Sequence, residues 1–139
     1  MKLWNKSAKL HEKVEKFTIG RDQEFDLQLA PFDIEASMAH TYMLHSIGII
    51  SAEEWQALKP QFRTLYEKTL AGKLAIHPQV EDIHSQVEME LTEALGDLGK
   101  KIHTGRSRND QVLVDLKLFY RAEIQEILEL IHQLFALLQ

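Results

Sequence analysis

Apolar residues recur along this chain at the spacing of α-helices, and helix stop and start signals fall between the recurrences. About the first 20 residues are only weakly periodic. After Pro31, Asp33 is suited to cap a helix running to about Ile47, with Ile34, Met38 and Tyr42 on one stripe. Gly48 suits the left-handed stop. Ser51 and Glu54 then form an S-x-x-E capping box. The helix they open carries Trp55, Leu58, Phe62, Leu65 and Tyr66 on one side, Pro60 should kink or split it, and Gly72 ends it. The stretch to Gln79 reads as loop. Asp82 is suited to cap the next helix, where Ile83, Val87, Leu91, Ala94 and Leu95 recur at helical spacing. Glu88, Glu90 and Glu93 form a solvated acidic face, and Gly96 and Gly99 stop the helix. A polar segment, His103 to Gln111, leads into the longest pattern, Val112 to Leu138, a helix of about 40 Å.

That last helix has apolar residues on more than one stripe, so several neighbours are expected to bury it. It also lacks a stop: Leu137 and Leu138 precede Gln139 with no Gly, Pro or polar last turn. A longer parent protein is the expectation.

Composition narrows the class. The 139 residues are 45% hydrophobic and 27% charged, which suits a soluble globular domain. Only 6 Gly and 3 Pro imply few turns and strands. A net charge of -5 argues against a nucleic-acid binder. The absence of Cys excludes disulfides and thiolate metal sites and suits a reducing compartment, the cytoplasm. The longest apolar run, Leu134 to Leu138, is far short of the roughly 20 residues of a membrane span. The lysine-bearing start, interrupted by Glu12 and Glu15, lacks an apolar signal core.

The chemistry concentrates in His103-Thr104-Gly105-Arg106-Ser107-Arg108-Asn109-Asp110-Gln111. These residues offer two guanidinium groups, two hydroxyls, two carboxamides and an imidazole. Arg presents a planar fork that matches a carboxylate or phosphate, and Gly105 permits close backbone approach. The segment enters a helix N-terminus, whose N–H groups and dipole favour an anion. Physics alone reads it as a small-anion site, or as a solvated loop in which Asn109 or Asp110 caps the helix. His11, His40, His45, His77, His103 and His132 are scattered without a metal pair, so no metal is assigned. Trp4 and Trp55 read as packing residues.

The segment resembles the signature loop of argininosuccinate lyases and their lens-crystallin relatives. Sister enzymes of the fumarase–aspartase superfamily carry different residues there. Leu29 to Ile34, Ser37 to His40, Gly48 to Ile50, Glu81 to His84 and Gly96 to Lys100 resemble the family in the same order, and the resemblance runs from about Phe17 to Gln139. It implies an all-α fold: an N-terminal helical domain over 1–111, then over 112–139 the first long helix of a central bundle in a homotetramer. It further implies a cofactor-free β-elimination that splits argininosuccinate into arginine and fumarate. By resemblance Arg108 and Asn109 bind substrate, supported by Thr104, Ser107 and Arg106. Asp26 aligns with a substrate-contacting Asp and is otherwise a surface residue of a charged loop. His84 aligns with a His near the active site and is otherwise a helix-surface His or the partner of a backbone group. The family's catalytic Ser and His lie later in its chains, so residues 1–139 alone are expected to be inactive, in active sites shared between subunits. Two departures stand out: Asn5, Lys6 and Ser7 follow Trp4 where the family has Gly-Gly-Arg, and Asp22 replaces a family Ser. A sister lyase, or a crystallin-like or helical assembly protein without turnover, are the alternatives.

Overall fold

The computed structural model describes residues 14, 17, 18, 20–78 and 80–139. The expectations at Trp4, Asn5, Lys6, Ser7 and His11 lie outside them. Among the described residues five α-helices follow one another: α1 Asp22–Ser46, α2 Ala52–Leu70, α3 Ile83–Leu95, α4 Asp97–Lys100 and α5 Arg108–Leu138. A 3-10 turn, Lys101–His103, joins α4 to the segment before α5. The described residues contain no strand, and none of their helices is long and apolar enough to cross a membrane.

The local signals hold where they are local. At α2, Ser51 Oγ accepts the Glu54 N–H at 3.2 Å while Glu54 accepts the Ser51 N–H at 2.9 Å, so both orphan donors of the capping box are satisfied. Asp82 caps α3 by accepting the Ser85 N–H at 2.8 Å. Trp55, Leu58, Phe62 and Leu65 are buried along α2, and Ile83, Val87 and Leu91 along α3. With Ala30, Ile34, Leu44, Ile50, Leu74 and Ile102 they make one core. Trp55 packs in it against the His45 and Tyr42 rings.

Other expectations change. Asp33 caps nothing: α1 begins eleven residues earlier, at Asp22, and runs through Pro31. The proline removes one ladder hydrogen bond, a cost of about 3 kcal/mol. Burial of Ala30, Asp33 and Ile34 around it keeps the helix continuous. Of the predicted stripe, Ile34 is buried and Met38 packs against the core, but Tyr42 is exposed, and Thr41 and Leu44 are buried instead. Pro60 does not split α2. Gly99 does not stop α3 but lies buried in α4, and Ala94 is exposed. Glu88 and Glu90 are not merely solvated: Glu88 pairs with His103 and Glu90 with Lys68, each at 2.6 Å. α5 starts at Arg108 rather than Val112 and spans about 46 Å.

α1 is the hub, touching α2, α3 and α5, while α4 lies against α3. α5 packs on α1 through its first turns, Phe119 meeting Phe32 edge-on at 5.8 Å. Residues 121–139 are all exposed within this chain, so the burial expected around the long helix is not supplied here.

Candidate functional site

The polar segment lies where the 3-10 turn ends and α5 begins. Gly105 adopts φ +76°, a left-handed conformation that L side chains resist, and turns the chain toward α5. Ser107, not Asn109 or Asp110, is the cap. Its Oγ accepts the Asp110 N–H at 3.3 Å, and the Asp110 carboxylate accepts the Ser107 N–H at 2.7 Å. Those contacts and the adjoining helix end hold Asp110 below the usual carboxylate range: the Ser107 backbone bond comes first, its hydroxyl second. Arg108 is thus the first residue of α5 and Gln111 a buried one.

The segment is held from several sides. His103 Nε2 lies 2.6 Å from Glu88 Oε2 on α3. His40 Nε2 on α1 donates to the Thr104 carbonyl at 2.9 Å. Burial pushes His40 down, against that carbonyl bond, with Arg106 and His103 adding to the fall. Arg106 turns inward, donating from Nη2 to Ser37 Oγ on α1 and to the Ile102 carbonyl, both at 3.2 Å. Arg108 donates from Nη2 to Ser85 Oγ at 2.9 Å and from Nη1 to Gln111 at 3.3 Å, and its Nε lies 3.2 Å from Asp82 Oδ2. Those two hydrogen bonds and the ion pair with Asp82 hold the guanidinium from three sides. Thr104, Ser107 and Asn109 are exposed.

Under the segment lies a set of charged groups that reading the sequence missed. His84 is neither on the surface nor bonded to backbone. Its Nδ1 donates to Asp33 Oδ1 at 2.7 Å, and Asp115 Oδ2 lies 3.5 Å away. Asp33, His84 and Asp115 are 1%, 3% and 0% exposed. Burial alone would push His84 down, but its bond to Asp33 and the charges of Asp33, Asp115 and Asp82 outweigh that and raise it. Burial, with the Asp33 charge beside it, pushes Asp115 up to about 7. Burial lowers the Arg106 pKa, but Asp33 and Asp115 oppose the fall. One donor atom from each of Asp33, His84 and Asp115 lies within 4.8 Å of the others, a spacing a divalent cation also accepts. The guanidinium of Arg106 and the imidazole of His84 already face the two carboxylates, so the set reads as a cluster of the chain's own charged groups.

Asp26 is on α1, not in a loop. Half-buried, it accepts the Ile83 N–H at 3.2 Å, at the N-terminus of α3. Burial raises its pKa against that hydrogen bond, with Asp82 and Asp22 adding to the rise. The fold therefore gathers Arg106, Ser107, Arg108, His84 and Asp26 around the facing N-termini of α3 and α5. Ser37, Asp82, Ser85, Glu88 and Asp115 belong to the same region. The one signal for Asp115 was an acid among apolar neighbours, one helical turn after Gln111. A groove of about 710 Å³ between α1 and α2 is lined by Ile34, Met38, Phe62, Tyr66, Lys59 and Arg63 among others and holds none of the site residues.

Among known proteins, a family model described as lyase matches residues 1–139. The chain is 54% identical over 137 residues to the argininosuccinate lyase of Bacteroides thetaiotaomicron, covering 99% of this chain and 31% of that protein. It is 53% identical over 137 residues to the argininosuccinate lyase of Phocaeicola vulgatus, with the same 99% and 31% coverage. It is 42% identical over 133 residues to that of Thermotoga neapolitana, covering 96% of this chain and 33% of that protein. The chain thus spans about a third of the length of these curated relatives.

Proposed function

This chain belongs to the lyase family, with the helical fumarase–aspartase fold, and on that premise we propose that it forms the N-terminal, substrate-binding portion of an argininosuccinate lyase. The observation that carries the reading is the His103–Gln111 segment, seated at the N-terminus of α5 with both arginines anchored. The reaction is a β-elimination. A base removes a proton next to a substrate carboxylate, charge accumulates on that carboxylate, and the guanidinium group departs as arginine to leave fumarate. Stabilising such a carboxylate takes fixed donors aimed at the developing charge. Arg108 supplies its remaining N–H groups from a side chain already held by Asp82 and Ser85. Asn109, Ser107 and Thr104 add exposed polar groups beside the positive end of α5. Arg106 serves from below, holding the turn to α1. Asp26 takes the guanidinium end of the substrate; that cation offsets the burial that raises its pKa.

In this reading the acid and base come from residues outside this chain, so 1–139 alone gives no turnover. Residues 1–111 act as the N-terminal domain, and 112–139 begin a bundle in a cytoplasmic homotetramer with shared active sites. The exposed apolar side chains of α5, among them Ile124, Ile127, Ile131 and Phe135, support that arrangement. The reaction needs no cofactor.

The test is fumarate release from argininosuccinate by the full-length protein, followed by ultraviolet absorbance, with adenylosuccinate as control. Release that Arg108→Ala lowers by about 100-fold or more supports the reading. A folded protein that releases no fumarate from argininosuccinate refutes it and points to a sister lyase or a crystallin-like protein.

A further inference from the structure

We propose that Asp33, His84, Asp115 and Arg106 form a clamp that positions the substrate-binding segment and takes up a shared proton to do so. The role as a positioning device rests on the lyase reading above; the clamp itself rests on geometry.

The four side chains come from four parts of the fold: α1, α3, α5 and the segment. Three of them are almost wholly buried. The His84–Asp33 hydrogen bond leaves Asp33 Oδ2, both oxygens of Asp115 and Arg106 Nε without hydrogen-bond partners. Two ionised carboxylates are acceptors only and cannot satisfy one another. One proton on Asp115 supplies the missing donor and removes a like-charge repulsion between two buried carboxylates. The charged groups facing the set are Asp33 and Asp26 from α1, Asp82 from the cap of α3, Arg106 from the segment and Asp110 from the first turn of α5. Because Arg106 also reaches Ser37 and the Ile102 carbonyl, whatever fixes the cluster fixes the turn that presents Arg108 and Asn109.

The direction of the pH effect follows from linkage. Asp115 keeps a proton in the folded state that the unfolded chain has released above its ordinary 3.8, so its contribution declines as pH rises toward about 7. His84 is raised as well: its contribution is full below 6.5 and is lost as pH climbs through its folded value. Both shifts run the same way, and the groups titrate as a unit. The clamp loosens as pH passes neutrality.

The experiment is hydrogen–deuterium exchange of backbone amides in 103–111 of the full-length protein at about pH 6 and about pH 8.5, corrected for intrinsic rates. Protection in 103–111 falls with pH by up to about tenfold per pH unit for each proton released, while the amides of α2 keep theirs. Asp115→Asn, held neutral with an amide to donate, shows a flatter profile. The KM for argininosuccinate follows the same pattern, rising with pH in the wild type and less steeply in Asp115→Asn. Protection in the wild type that is constant with pH, or that falls equally in Asp115→Asn, overturns the clamp. Should Asp115→Asn fail to fold, the wild-type profile decides alone. Turnover with pH-independent protection refutes the clamp and leaves the lyase reading. Protection that falls with pH in a protein without turnover supports the clamp and refutes the lyase reading.

Discussion

Gly99 gives the sharpest test of the packing that sets the site. It lies on α4, pressed against the backbone of α3. A Cβ at this position would sit 2.4 Å from the Thr92 nitrogen, 2.5 Å from the Leu91 carbonyl carbon and 2.7 Å from its oxygen. Favourable contact between such atoms begins near about 3.5 Å, so the shortfall is about 1 Å. The clashing atoms are helix backbone and cannot rotate aside. α3 cannot retreat either, because Leu91 and Val87 are fully buried in the core. α4 must therefore move, and the 3-10 turn and His103 move with it. Overpacking costs 1–3 kcal/mol in most cores, and a rigid clash belongs at the top, about 3 kcal/mol for Gly99→Ala. In a protein about three times the length of this chain, at about 1 °C per kcal/mol, that lowers Tm by about 3 °C. The companion is Gly48→Ala, which meets nothing within 4 Å and is strained only by its φ of +80°. It costs about 1–2 kcal/mol. Thermal unfolding of the full-length protein, followed by circular dichroism, ranks the two. A Gly99→Ala protein that melts above Gly48→Ala would refute the close approach of α4 to α3.

Phe62 is wholly buried at the centre of the core, and Phe62→Ala should cost about 3–5 kcal/mol in urea unfolding. Ser107→Ala removes the cap of α5 and the hydroxyl partner of Asp110. About 1 kcal/mol of stability should go with it, and the Asp110 pKa, followed by NMR titration, should rise toward its ordinary value. Asp82→Asn keeps a good cap for α3 but removes the charge beside Arg108. It should leave Tm nearly unchanged while kcat/KM for argininosuccinate falls about tenfold or more, because the guanidinium loses that ion pair.

What the sequence made legible is what short-range contacts decide. The Ser51–Glu54 box and the Asp82 cap were readable because both partners lie within one helical turn. The polar segment was readable for the same reason, since its guanidinium groups and hydroxyls are neighbours along the chain. The start of α5 was misplaced by four residues because Arg108, Asn109, Asp110 and Gln111 look like loop by composition. A cap at Ser107 makes them the first turn instead. Asp33 was misread as a cap because it follows a proline in a sequence that elsewhere caps with Asp. Its partner, His84, is 51 residues away, and no local pattern announces that bond.

The same distinction explains the unusual character of α1. Its apolar residues Ile34 and Met38 face α2 across the groove they line together. A second buried row, Ala30, Asp33, Ser37 and Thr41, is small or polar and faces elsewhere: Asp33 to His84 on α3, Ser37 to Arg106 in the segment. A helix buried on two sides, one of them polar, has no single apolar stripe, and periodicity alone therefore misjudged its start and missed its second face. Buried ion pairs of this kind contribute little net stability, since desolvation offsets most of the Coulomb attraction. They are strict about geometry, because each charge left without a partner is costly. A stripe that adds little to stability but fixes Arg106, and through it the turn carrying Arg108, acts on position. The core of α2 and α3 supplies the stability that the polar row does not.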